Sequence, residues 1–114
     1  MAANMAVGEL TPMEESTRQR ERFQRLAREW KLQSRYLSNT AQMALLAPYQ
    51  RIIGMGLAAV PMILEELRRE PDQWFWALEA ITEENPVPPE AAGKVRLMAQ
   101  AWLEWGQRQG LIAA

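Results

Sequence analysis

Between Gly54 and Thr82 the chain gathers its densest apolar and aromatic content into two short runs, and any fold must be built around them. In the first, Val60, Ile63, Leu64 and Leu67 recur on one face of a helix beginning near Gly56. Pro61 must lie in its first turn, where the missing N–H has no intrahelical partner to lose. Glu65 and Arg69 are expected to pair on the outer side at i,i+4. Arg69-Glu70-Pro71-Asp72 then hinges the chain. The second run aligns Trp74, Ala77, Leu78 and Ile81, with Phe75, Trp76 and Ala80 on its flank and back. A helix apolar nearly all round is expected at the centre of a fold. Trp74, Phe75 and Trp76 cannot all face one way, so two are expected in the core and Trp76 at the surface.

Upstream, Thr11-Pro12-Met13-Glu14 reads as a helix start with a capping box. Phe23, Leu26, Trp30 and Leu37 then form an apolar stripe, with Arg18, Arg22 and Arg25 clustered about a quarter-turn away. Residues 1–10 lack periodicity and are expected as a flexible lead. Ser38-Asn39-Thr40 offers caps for a short helix ending before Pro48, and Tyr49 to Met55 reads as a further helical turn closed by Gly54 or Gly56. Glu83 to Pro89 is a stiff connector of polyproline character. Pro89-Glu90 is expected to open a last helix carrying Val95, Met98, Ala99, Trp102 and Trp105, stopped by Gly106 or Gly110, with a short tail over 111–114.

The 114 residues suffice for one domain, expected over 11–110. Val, Ile and Thr total only thirteen, too few for a sheet-rich protein, while Ala, Leu, Glu, Gln, Arg and Met favour helix. There is no Cys and no His, which removes disulfides, thiol nucleophiles and imidazole catalysis, and argues against zinc. No cofactor or metal site is expected. The apolar run Ile52–Leu64 is shorter than a membrane span, and no signal peptide is visible, so a cytoplasmic, non-membrane location is expected. Net charge is −1, yet residues Ser16 to Tyr36 carry seven basic side chains against Glu21 and Glu29. That segment is +5 and the rest −6, an asymmetry that can steer a partner or draw one part of the fold onto another.

Gly54-Met55-Gly56-Leu57-Ala58-Ala59 has the letters of a dinucleotide-binding turn, but that motif needs flanking strands and an acidic residue about twenty positions on, where this chain has Trp74. Helix termination is the simpler reading. Glu79, Glu83 and Glu84 bunch without matching a calcium-loop template. The serines have no histidine to activate them.

Gly56 to Leu67 resembles the first helix of a HEAT-type repeat, and Ala77-Leu78-Glu79-Ala80-Ile81 its second. That resemblance implies an antiparallel helix pair needing other helices to cover its faces. Across Ser38-Asn39-Thr40, Pro48 to Gly56, Trp74 to Leu78, Glu84 to Glu90 and Ala101 to Gly106, the chain is similar to a small bacterial family that carries over no activity.

The expected fold is all-α: a compact bundle of four to five helices with one HEAT-like pair at its centre. The expected function is a non-enzymatic protein–protein interaction module, a small adaptor or accessory subunit. Its candidate contacts are Arg18, Arg22 and Arg25, the exposed aromatic Trp76, and the connector at Pro88. The alternative is a nucleic-acid-associated regulator of a toxin–antitoxin or mobile-element system, with the arginines tracking phosphates. A second copy covering an unsatisfied Trp face would make a homodimer.

Overall fold

The computed structural model describes residues 9–114; of the expected flexible lead, residues 1–8 lie outside the described residues. Among the described residues there are six α-helices, two short 3-10 turns and no strand. Helix α1 (Pro12–Ser34) starts as expected: Glu14 N–H donates to Thr11 Oγ1 at 3.0 Å, and Thr11 N–H donates to Glu14 Oε1 at 2.9 Å. The Thr11 N–H, and the Thr11 hydroxyl after it, hold the Glu14 carboxyl below its ordinary pKa. Phe23, Leu26, Ala27 and Trp30 of α1 are buried.

Asn39 caps α2 (Thr40–Leu45) by accepting from Gln42 N–H at 3.0 Å. The chain breaks at Leu46, where ψ is 143°, and α3 (Ala47–Gly54) follows with Pro48 in its first turn. Gly56, at φ +70°, turns the chain into a 3-10 segment (Gly56–Ala59) and α4 (Val60–Arg69). After the hinge comes α5 (Phe75–Thr82), stopped by Glu83 in the left-handed region at φ 58°.

The last helix corrects the sequence reading. Pro89–Ala91 forms only a 3-10 turn, Gly93 takes φ +81°, and α6 runs from Val95 to Arg108. An extended Ala92 followed by a left-handed glycine cannot continue a helix, so the start moves to Val95. Gly106 lies inside α6, and Gly110, at φ +73°, ends it. Leu111 N–H donates to Gly106 C=O at 2.9 Å and Gly110 N–H to Gln107 C=O at 3.0 Å, a Schellman ending. Ile112 folds back into the core beside Gly106.

The centre is α3, and the expectation for α5 is corrected here. Helix α3 meets both α1 and α5, while α4 packs chiefly on α6 and shares only a narrow contact with α5. Helix α5 buries Phe75, Ala77 and Leu78 but leaves Trp76, Glu79 and Ala80 exposed. The reason lies in the aromatic cluster that α3 organises. Trp30 sits 4.5 Å from Trp74 and 5.1 Å from Tyr49 between ring centroids, and Tyr49 and Trp74 lie nearly parallel at 5.9 Å. Trp30 Nε1 donates to Met43 C=O at 2.9 Å. The Tyr49 hydroxyl donates to Gln73 C=O and accepts from Ala77 N–H, each at 2.9 Å, and so caps α5, which has no side-chain cap of its own. Burial raises the Tyr49 phenol well above its ordinary pKa, so it stays a neutral donor.

The expected Glu65–Arg69 pair is replaced by two i,i+3 pairs, Arg68 with Glu65 and Arg69 with Glu66. Part of the charge asymmetry is satisfied internally. Lys31 Nζ of α1 lies 2.9 Å from Glu70, 3.4 Å from Asp72 and 3.7 Å from Glu66, fastening α1 to the end of α4. Burial pulls the Lys31 ammonium pKa down, but the hydrogen bond to Glu70 and the three carboxylates more than offset it, and the net shift is upward.

Candidate functional site

The candidate contacts lie on separate surfaces. Arg18, Arg22 and Arg25 are exposed on α1. Arg18 and Arg22 line a cleft of about 340 Å³ with Gln19, Gly54 and Met55. Arg25 lies 4.0 Å from Glu29, whereas Arg18 and Arg22 make no ion pair among the described residues. Glutamates interleave with this face: between Pro12 and Trp30 there are five arginines and four glutamates.

Trp76 stands on the wall of a different cleft, of about 520 Å³, formed where α5 meets the start of α2 and the first turn of α6. Phe75, Ala80 and Met98 supply its apolar lining, and Thr40, Gln73 and Glu79 its polar lining. Trp76 is 50% exposed, while Trp30, Trp74, Trp102 and Trp105 are buried. The local cause is register. Trp74 faces the α1–α3 cluster and Tyr49 fixes the first turn of α5, so Trp76, Glu79 and Ala80 must share the opposite face.

Pro88 is exposed and lines a third cleft, of about 400 Å³, with Pro86, Ala91, Leu97 and Glu104. Sequence reasoning missed Thr40, Gln73 and Met98 as neighbours of Trp76. The exposure of Trp76 with Glu79 and Ala80 follows from i, i+3, i+4 spacing, but the walls from α2 and α6 meet α5 only through the tertiary fold.

Chemically, the Trp76 cleft offers an aromatic face, a carboxylate and amide or hydroxyl groups, suited to an apolar or cationic side chain. Among the described residues, no group of three or more Asp or Glu is placed to hold a metal ion, and no helix is long and apolar enough to cross a membrane. A scan against protein-family models, a search of the curated proteins and a search of the solved structures each found no match. The HEAT-type and bacterial-family resemblances therefore gain no support from these comparisons. Fold and surface define an all-α globular domain with an exposed aromatic and exposed charged side chains.

Proposed function

We propose that this chain is a non-enzymatic protein–protein interaction module, a small cytoplasmic adaptor or accessory subunit. The observation that carries this reading is Trp76. Four tryptophans are buried and this one stays half-exposed on the wall of a cleft with both apolar and polar lining, the setting of an interface anchor. Arg18 and Arg22, which make no ion pair among the described residues, add a second contact surface. Affinity capture from the source cell tests it. A partner retained by the wild-type chain is expected to be lost with Trp76→Ala or with Arg18→Glu/Arg22→Glu. Recovery of the same proteins by all three forms refutes the reading.

The exposed arginines also favour a second reading, a nucleic-acid-associated regulator. It expects DNA or RNA binding that weakens steeply with salt, and unshifted mobility at low salt refutes it.

A further inference from the structure

Helix α1 begins long before the core does. From Pro12 to Arg22 it contributes no buried residue, and only Gln19 is half-buried. Eleven residues at the free end of a helix, without a packed face, gain only their backbone bonds and no tertiary contact, so they hold their helix weakly in water. The capping box steadies the tip, yet the tip also leaves Met13 79% exposed and Leu10 38% exposed. This arm is a helix face that needs a cover.

The Trp76 cleft has the opposite character. Its outer rim is the exposed face of α5 with Glu79, and beyond the end of that helix the exposed Glu83 and Glu84 follow. These carboxylates lie toward the negative end of the helix dipole, α5 has no basic residue in its last turn, and none of the three makes an ion pair among the described residues. Cations are therefore favoured there twice over, by the carboxylates and by the Trp76 ring.

The arm carries side chains of the opposite charge. Arg18 and Arg22 stand about 6 Å apart along α1 and make no ion pair among the described residues, and Glu79 of α5 with Glu83 at its C-terminal end offers them carboxylates. We propose that the Trp76 cleft receives the α1 arm of a second copy of this chain, with Arg18 and Arg22 meeting Glu79 and Glu83 and the arm lying against Trp76. Both surfaces exist on every copy, and in the proposed two-fold arrangement the contact is made twice and closes as a dimer. The three glutamates among the arm's three arginines disfavour a polyanion as the occupant and suit a protein surface of mixed charge. The proposal rests on the reading of Arg18, Arg22 and Trp76 as contact residues.

Sedimentation equilibrium of the full chain tests it. The wild-type chain is expected to reach twice its 13.1 kDa mass at low salt. Its dissociation constant is expected to rise about tenfold or more on going from about 50 to about 500 mM salt. Arg18→Glu/Arg22→Glu and Glu79→Arg/Glu83→Arg should each be monomeric with unchanged far-ultraviolet circular dichroism. Mixed in equal amounts they should dimerise again, since each arm then meets a groove of opposite sign. A wild-type chain that stays monomeric at every concentration, or a mixture no heavier than its components, overturns the proposal, and the first result needs no variant. A monomeric chain that still captures a partner in a Trp76-dependent way sinks this inference alone. A monomeric chain that binds an oligonucleotide gives the arm to nucleic acid and overturns it as well.

Discussion

Tyr49→Phe isolates the one hydroxyl on which the placement of Trp76 depends. The substitution keeps the ring, and with it the contacts to Trp30 and Trp74 at 5.1 and 5.9 Å, and removes only the oxygen. Two polar groups then lose their partner. Gln73 is half-buried, so water can reach its carbonyl and replace most of what is lost. The Ala77 N–H bond is buried, and that donor belongs to the first turn of α5, with no other cap. Leaving a buried donor unsatisfied costs about 1–3 kcal/mol, and a replaced bond about 0.5–1 kcal/mol, so the expected loss is ~2 kcal/mol. Urea unfolding followed by circular dichroism should show the midpoint falling by about 1 M with an unchanged slope, for a slope near 2 kcal/mol/M. Hydrogen exchange at the Ala77 amide should speed up more than exchange in α6, because the first turn of α5 frays before the domain unfolds. A stability change under about 0.5 kcal/mol, or an Ala77 amide as protected as before, refutes the claim that this hydroxyl holds the start of α5.

Two further tests read the packing and the charges. Gly106→Ala should destabilise the domain by ~1 kcal/mol, because the new Cβ would sit 2.6 Å from Leu64 Cδ1 and 3.3 Å from Ile112 Cγ1, and overpacking outweighs the gain in helix propensity. Gly54→Ala, with nothing within 4 Å of the added Cβ, should instead stabilise by ~0.5–1 kcal/mol, and denaturation midpoints of like sign for the two would refute the contrast. Lys31→Met should lower stability by ~0.5 kcal/mol at neutral pH after allowance for solvent screening, with less effect in high salt. The Lys31 hydrogen bond, then its charge, holds the Glu70 carboxyl below its ordinary pKa, so that contribution is complete above the unfolded value and fades as pH falls through the folded one. The Lys31 pKa is raised, so its own contribution is complete below the ordinary lysine value and is lost as pH rises through the folded one. Melting curves of the wild type and variant should therefore converge in acid and in strong alkali, and a constant gap across pH would contradict the assignment.

Local chemistry by itself determined a good part of this protein. The all-α class follows from composition, and the capping box at Thr11 and Glu14, the helical position of Pro61, the hinge at Pro71 and the outward face of Trp76 follow from spacing. Each of these depends on residues within a few positions of one another, where backbone geometry and helical periodicity act directly. Tertiary structure decided the rest. The short α3 became the centre because Tyr49 and Ile52 meet partners from distant helices, and no local pattern marks a tyrosine that caps a helix 28 residues on. Gly106 looked like a helix stop and instead gives α6 close approach to Leu64, a role set by what packs against it. The Trp76 cleft likewise needs Thr40 and Met98, which reach α5 only once the hydrophobic core has chosen which helices pack together.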